Sequence, residues 1–170
     1  MTLAIFPGSF DPITLGHLDV AKRALSVFDQ LVILVGYNDA KSGMFRPEQR
    51  VELIAESLAA AGIGDGMNRV TCEATNGLVV DFALRVGANA IVRAARTAAE
   101  FEAEATMGMI NRQMSGVETV VFTAAPELSY VSSSRIKEIA KFGRDLTGLA
   151  PEPVAKAVAA ALAGAAERLM

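Results

Sequence analysis

Short apolar runs alternate along the chain with longer stretches in which apolar residues recur every three or four positions. Short runs bounded by turn residues are typical of buried strands, and the longer period is typical of amphipathic helices. The predicted strands are Leu3–Phe6, Gln30–Gly36, Val70–Glu73, Ala90–Val92 and Thr119–Thr123. The predicted helices are Leu15–Ser26, Pro47–Ala61, Leu78–Val86, Ala98–Met114, Ser133–Lys141 and Val154–Leu169. This alternation predicts an α/β fold: a doubly wound parallel sheet of five strands with helices on both faces and a C-terminal helix.

Composition and charge limit the classes of function. The chain has 170 residues, of which 52% are hydrophobic and 21% are charged, which is typical of a single globular domain spanning residues 1–170. The formal net charge is -3. Surfaces that bind nucleic acid or anionic membranes generally need a basic excess, so neither partner is expected. An anionic substrate would have to be bound by a local cluster of cations.

The two ends of the sequence predict neither a membrane span nor a secretory signal. The alanine-rich tail is interrupted by Lys156, Glu167 and Arg168, and its larger apolar residues form a stripe, which favours packing or oligomer contact. The N-terminus enters a predicted strand directly, without the charged region and long apolar stretch of a signal peptide. We therefore expect a cytoplasmic protein.

Several common chemistries are disfavoured by motifs that the sequence lacks. A single histidine and a single cysteine exclude a histidine-rich or paired-cysteine metal site, so no metal-ligating residues are predicted. Cys72 lies in a predicted strand and is interpreted as an inert core thiol. The sequence contains no Walker loop, no three-glycine dinucleotide motif and no Gly-x-Ser-x-Gly elbow. Catalysis by positioning and charge stabilisation remains as the expected mechanism.

The segment Gly8–His17 joins the first predicted strand to the first predicted helix. Pro7 and Gly8 are expected to stop the strand, and Thr14 can serve as N-cap with His17 at the third helical position. The first amides of a helix lack internal partners and favour phosphate, to which an imidazole can also donate. A lone histidine at a helix start is often only a solvated or packing residue, so its neighbours decide between the two interpretations. Asp11 and Pro12 are assigned to the shape of the turn.

Basic residues follow two other predicted strands. Lys41 follows the second strand, and Arg93 and Arg96 follow the fourth. A single surface cation is usually only solvated, but the carboxyl ends of parallel strands share one edge, where ligands bind in doubly wound folds. Arginine suits bidentate contact with phosphate, and lysine provides a mobile charge. Together these residues predict a cationic pocket in an acidic chain.

A run of three serines, Ser132–Ser134, opens the fifth predicted helix and indicates a second anion site. One serine is needed as the N-cap, which leaves the other hydroxyls free to bind phosphate. Two helix starts with phosphate-binding groups suit a nucleoside triphosphate better than a single phosphoryl group.

Four blocks of the sequence resemble the bacterial phosphopantetheine adenylyltransferases, which belong to the nucleotidyltransferase superfamily. The blocks are Gly8–His17, Lys41–Phe45, Arg93–Arg96 with Phe101–Glu104, and Val131–Ser134. The resemblance implies a Rossmann-like fold, a homohexamer, and reversible transfer of an adenylyl group from ATP to 4′-phosphopantetheine with Mg²⁺ as helper ion. The products would be dephospho-coenzyme A and pyrophosphate.

The resemblance also implies roles for individual residues. His17, Lys41 and Arg93 would be catalytic, with His17 stabilising the transition state. The 4′-phosphopantetheine would be bound by Ser9, Lys41, Val79 and Arg93. The ATP site would consist of Ser9, Phe10, His17, Ala94, Ala95, Arg96, Glu104, Leu128, Ser129, Tyr130, Val131, Ser132, Ser133 and Ser134. Two residues depart from the family pattern, since Ala94 stands where glycine is common and Ala103 where an aromatic residue is common.

Two alternative functions are kept. A related enzyme would transfer a cytidylyl group, or an adenylyl group to nicotinamide mononucleotide, but such relatives usually have histidine at the position of Thr14. A non-catalytic nucleotide-binding module is disfavoured by the combination of Ser9, His17, Lys41 and Arg93.

Overall fold

The computed structural model describes residues 1–64 and 69–167, with only the backbone described for residues 165–167. Strands and helices alternate along these residues, as the hydrophobic pattern predicts. The strands are β1 (Leu3–Gly8), β2 (Gln30–Gly36), β3 (Val70–Thr75), β4 (Ala90–Ala95) and β5 (Glu118–Thr123). The helices are α1 (Leu15–Ala24), α2 (Pro47–Ala60), α3 (Val79–Val86), α4 (Ala98–Ser115), α5 (Ser133–Lys141) and α6 (Glu152–Glu167). A short 3₁₀ turn at Pro126–Leu128, which the sequence did not predict, precedes α5.

The strands form one parallel sheet in the order β3-β2-β1-β4-β5, which confirms the predicted doubly wound sheet. The chain moves outward from β1 to β3 and then returns to the other side of β1. The strand order therefore reverses between β1 and β4, where ligand crevices form in such folds.

The core is divided between the two faces of the sheet, because alternate residues of each strand point in opposite directions. On one face, Phe6 and Ile33 pack with residues of α1, α2, α5 and α6. On the other face, Ile5 and Leu34 pack with Phe82 and other residues of α3. Helices therefore cover both faces, as predicted.

The prediction that Pro7 and Gly8 stop the first strand is wrong. The β1–β2 ladder continues to Pro7 and Gly8, which pair with Leu34 and Val35. Pairing with β4 involves only Ala4 and Ile5 of β1. Beyond Ile5 the strand does not pair with the backbone of β4, so a residue without an amide hydrogen is tolerated there.

The fourth strand is also longer than predicted. It continues to Ala95, so Arg93 lies inside β4 and Arg96 follows it directly. The Arg93 side chain therefore starts from the strand itself, next to the separation between β1 and β4. The other elements differ from the predicted boundaries by a few residues at their ends.

The apolar stripe of α6 packs in the core, with Val154 and Val158 fully buried. The predicted end of this helix at Leu169 lies outside the described residues. Several large apolar side chains are exposed on α4, none of whose described residues is buried. Across the described residues, no helix has the length and apolarity needed to cross a membrane.

Candidate active site

The turn between β1 and α1 contains a capping box formed by Thr14 and His17, which confirms the predicted N-cap. The His17 amide donates to Thr14 Oγ1 at 3.3 Å, and the Thr14 amide donates to His17 Nδ1 at 3.1 Å. Because Nδ1 accepts a hydrogen bond from an amide, it carries no proton. The neutral imidazole is therefore protonated at Nε2, which is available to donate to a ligand.

The environment of His17 keeps the imidazole neutral. Burial lowers the pKa of His17 to about 4, and the positive charge of Arg96 acts in the same direction. At neutral pH the side chain is therefore a hydrogen-bond donor and not a cation. It cannot serve as an acid with a pKa near 7.

The ring of Phe10 supports His17 from inside the core. Its centroid lies 5.0 Å from the imidazole centroid in an edge-on arrangement, and only 1% of Phe10 is exposed. Phe10 has a φ of +44°, and a Cβ on Gly8 would lie 2.9 Å from Phe10 Cζ. The resemblance implied that Phe10 lies against ATP, whereas this buried ring is not among the residues that line the two cavities beside the turn.

Two cavities meet at this turn. The first, called the histidine cavity, has a volume of about 410 Å³, and the second, called the lysine cavity, has a volume of about 740 Å³. Both are lined by Ser9, Ser133 and Ser134. The histidine cavity is further lined by His17, Ala94, Arg96, Glu100, Ala103, Glu104, Leu128, Val131 and Ser132. Lys41 and Asp11 line the lysine cavity.

Arg93 bridges the separation between β1 and β4. Its Nε and Nη2 atoms donate to the Glu104 carboxylate at 2.6 and 2.7 Å, and Nη1 donates to the Pro7 carbonyl at 2.8 Å. The guanidinium is thus fixed by a bidentate ion pair and a backbone acceptor. Its partner Glu104 lines the histidine cavity, but Arg93 itself is not among the residues that line either cavity.

Arg96 connects the start of α4 to residues 131–134, which we call the serine turn. Its Nη2 donates to Glu100 at 2.6 Å, and its Nη1 donates to the Val131 carbonyl at 3.2 Å. The hydrogen bond from the Arg96 side chain outweighs the effect of burial and lowers the pKa of Glu100. Both arginines of the predicted cationic pocket therefore already face a carboxylate.

The serine turn is hydrogen-bonded to the segment between β1 and α1, which we call the first turn. Ser132 is the N-cap of α5 and accepts from the Arg135 amide at 3.3 Å, so the prediction that one serine caps the helix is confirmed. Ser133 Oγ donates to the Pro12 carbonyl at 2.7 Å, so its hydrogen is already used, although its oxygen can still accept. Ser134 lines both cavities.

Comparison with known proteins identifies the family. A profile described as cytidylyltransferase-like matches residues 5–139. A phosphopantetheine adenylyltransferase from Bifidobacterium longum is 40% identical over 99% of both chains. The protein of the same name from Levilactobacillus brevis is 44% identical over 96% of this chain and 99% of its own. The chain belongs to the phosphopantetheine adenylyltransferase family.

Solved structures with low sequence identity share the fold of this family member. A bifunctional NMN adenylyltransferase/ADP ribose pyrophosphatase from Francisella tularensis is 17% identical, with a TM-score of 0.68, over 89% of this chain and 44% of its own. A Vibrio parahaemolyticus protein described as a nicotinate-nucleotide adenylyltransferase is also 17% identical, with a TM-score of 0.67, over 95% of both chains. At this identity the likeness supports the Rossmann-like fold alone.

The departure from the family pattern at Ala94 causes no backbone strain. Ala94 lies in β4 and pairs with Phe122 of β5. Phe10 is the only non-glycine residue with positive φ in the described part of the chain, so Ala94 does not need the freedom of glycine. Its methyl group and that of Ala103 both line the histidine cavity.

Some residues that the family resemblance placed in the site lie outside the two cavities. Val79 begins α3 and packs against the core on the far face of the sheet, and Ala95 is buried at the end of β4. Ser129 Oγ donates to the Pro126 carbonyl, and the exposed Tyr130 lies just beyond it. These residues surround the site without lining it.

Asp11 is a charged group in the wall of the lysine cavity that was not predicted from the sequence. It was assigned only to turn shape, but its carboxylate contacts Arg50 and Lys137 from two distant helices. No local pattern marks such a contact, since the partners are far apart in sequence. The closest signal was an aspartate that falls inside a predicted phosphate-binding turn.

Proposed function

We propose that this chain transfers the adenylyl group of ATP to 4′-phosphopantetheine, forming dephospho-coenzyme A and pyrophosphate in coenzyme A biosynthesis. The observation that carries the proposal is the meeting of two cavities at Ser9 and the serine turn. Two anionic substrates can then approach each other at one point. ATP occupies the histidine cavity, and the phosphate of 4′-phosphopantetheine lies in the lysine cavity.

The reaction needs no protein base. A phosphate monoester has a second pKa of about 6, so the attacking oxygen is largely ionised at neutral pH. This oxygen attacks the α-phosphorus of ATP, and the bond from that phosphorus to the bridging oxygen of the β-phosphate breaks. The electron pair leaves with pyrophosphate. The chain contributes alignment of the two phosphates and stabilisation of the negative charge between them.

His17 is the residue proposed to contact the α-phosphate. Its neutral imidazole holds the Nε2 proton towards the cavity, because Nδ1 is occupied by the Thr14 amide. A preorganised donor of this kind gains strength as charge develops in the transition state. Lys41 would neutralise the attacking phosphate. Arg93 lines neither cavity, so it would reach the phosphate only by releasing Glu104 or the Pro7 carbonyl.

Three of the carboxylates that line the two cavities are engaged with cationic side chains of the chain. The carboxylates of Glu100 and Glu104 face arginines, and Asp11 faces Lys137. The described residues contain no group of three or more histidine, cysteine, aspartate or glutamate side chains that could hold an ion. We therefore propose that Mg²⁺ enters with ATP, held by phosphate oxygens and water, and neutralises phosphate charge. Removing it with a chelator should abolish turnover and leave the fold unchanged by circular dichroism.

The proposed assembly is a homohexamer. Among the described residues, α4 leaves a row of large apolar side chains exposed, namely Phe101, Met107, Met109, Ile110 and Met114. Exposed apolar patches of this kind mark interaction surfaces. Light scattering should give a mass about six times the 17.9 kDa of one chain, and Met109→Glu should lower it.

One assay separates the candidate functions. Purified protein is supplied with Mg²⁺, ATP and 4′-phosphopantetheine, and pyrophosphate release is followed. Parallel reactions replace ATP with CTP, or 4′-phosphopantetheine with nicotinamide mononucleotide. Release only with the first pair supports the proposal, whereas release only with a replacement assigns a related transferase. Nucleotide binding without release in any reaction indicates a non-catalytic module. The proposal includes a cytoplasmic location and no nucleic-acid or membrane partner.

A further inference from the structure

The buried carboxylate of Asp11 lines the lysine cavity but has no part in the proposed reaction. Its Oδ1 accepts from the Phe45 amide at 2.9 Å and lies 3.4 Å from Arg50 Nε. Its Oδ2 accepts from the Met44 amide at 2.9 Å and from Lys137 Nζ at 3.0 Å. The side chain is only 9% exposed. Both oxygens are therefore used to hold other parts of the chain.

Two of the contacts of Asp11 are with backbone amides of the segment 41–45, which we call the lysine loop. Arg50 reinforces them, since its Nε donates to the Phe45 carbonyl at 2.8 Å and its Nη1 donates to the Ser9 carbonyl at 3.2 Å. The buried Asp11–Arg50 pair thus joins the end of the loop to the turn that carries Ser9. Two amides of the lysine loop therefore donate to Asp11, and one carbonyl of the loop accepts from Arg50.

The loop backbone also lies directly against this ion pair. A Cβ on Gly43 would overlap Arg50 Nη2 and would lie 2.9 Å from Asp11 Oδ2. Only glycine leaves room for the loop at this distance. The charged pair therefore sets the path of the chain within two residues of Lys41.

Lys137 connects the same carboxylate to α5. The serine turn at the start of that helix is itself tied to the first turn by the bond from Ser133 Oγ to the Pro12 carbonyl. Asp11 thus lies where the first turn, the lysine loop and α5 meet. Burial by itself would raise the pKa of Asp11, but the two amides, Lys137 and Arg50 together lower it, so the carboxylate is charged at neutral pH.

We propose that Asp11 is a positioning residue that fixes the lysine loop so that Lys41 faces the phosphate of 4′-phosphopantetheine. This inference rests on the proposed function. It assigns Asp11 no contact with the reacting atoms. Its effect reaches the substrate through Lys41, which is exposed and needs a fixed backbone to hold its ammonium group at one place.

The test uses Asp11→Asn, which keeps the shape of the side chain but replaces one acceptor oxygen with a donor. The matched control is Asp29→Asn. Asp29 also accepts bonds from an amide and a hydroxyl, both of Thr2, but lies at the opposite end of the sheet. Losing charge-assisted bonds to the loop should raise the KM for 4′-phosphopantetheine by about tenfold or more, with the KM for ATP within about twofold. The control should leave both constants within about twofold of wild type.

A double-mutant cycle distinguishes positioning from a general structural role. Lys41→Met removes the group through which Asp11 is proposed to act. If the inference is correct, Asp11→Asn combined with Lys41→Met is no worse than Lys41→Met alone. Independent effects would multiply in the double variant, and that outcome overturns the inference.

Hydrogen exchange of the free full-length protein gives a readout that needs no activity. Peptides covering residues 41–46 should exchange faster in Asp11→Asn than in wild type and should be unchanged in Asp29→Asn. Unchanged exchange in Asp11→Asn would overturn the inference. If Asp11→Asn does not fold, Lys137→Met takes its place in both experiments, with a rise in KM of about threefold. If the wild type releases no pyrophosphate, the proposed function fails, while exchange still decides whether Asp11 holds the loop.

Discussion

Replacement of His17 by glutamine should remove a specific pH dependence from the stability of the fold. Glutamine is the usual partner of threonine in a capping box, so it can still accept from the Thr14 amide. The start of α1 should therefore remain intact. What the variant loses is the one group in this turn that can take up a proton between pH 4 and pH 6.5.

The magnitude follows from the pKa of His17. Burial, aided by Arg96, lowers the pKa from 6.5 to about 4. Below pH 6.5 the unfolded chain binds a proton at this position, whereas the folded chain does not until the pH nears 4. Stability is therefore fully present above pH 6.5 and is lost as the pH falls towards 4. At about 1.36 kcal/mol per pKa unit, the full loss is about 3 to 4 kcal/mol, and about 2 to 3 kcal/mol of it is lost by pH 4.5.

The assay is urea unfolding of wild type and His17→Gln at pH 7.0 and pH 4.5, followed by circular dichroism. Other groups titrate in both proteins, so the quantity of interest is the difference between the two free energies of unfolding. That difference should change by about 2 to 3 kcal/mol in favour of the variant on going to pH 4.5. A difference that is the same at both pH values would refute the claim that the imidazole is held neutral.

Three further predictions concern the site and the core. His17→Ala should keep the fold but lower kcat by about 10²–10³-fold, as expected for loss of one preorganised donor, and wild-type turnover would remove His17 from the mechanism. Cys72, whose pKa burial raises to about 11, should react slowly with a thiol reagent at pH 8 until the protein is unfolded, and rapid labelling of the native protein would contradict this. Ile54→Ala removes a fully buried side chain and should cost about 2–5 kcal/mol in urea unfolding, with exposed Val27→Ala as the control.

The parts of the fold that follow from local pattern could be predicted from the sequence. Periodicity located the strands and helices, because most of these elements pack their apolar residues against the core. The end of β1 could not be predicted, because tolerance of Pro7 depends on where β4 stops pairing with β1. A rule based on proline and its sequence neighbours does not predict where two distant strands stop pairing.

In the candidate site, too, some contacts follow from local sequence patterns and others depend on the tertiary structure. Thr14 and His17 are three residues apart, so helix capping predicts their arrangement. The bidentate pair between Arg93 and Glu104 depends on how α4 packs beside β4. The contact between Asp11 and Lys137 spans most of the chain. Such side-chain contacts require the tertiary structure.

Arg93 and Arg96 are each paired with a glutamate, and this pairing has a consequence for how ATP reaches the site. Arg93 and Arg96 are each compensated by a carboxylate within 2.6 Å, and the chain as a whole has a net charge of -3. Seen from a distance, the entrance of the histidine cavity has little positive potential to attract a polyanion, so long-range steering of ATP is weak. Association should then proceed at an ordinary rate of about 10⁵–10⁷ M⁻¹s⁻¹ and depend little on ionic strength. The protein then selects the triphosphate only after it has entered the cavity, through hydrogen bonds with the residues that line it.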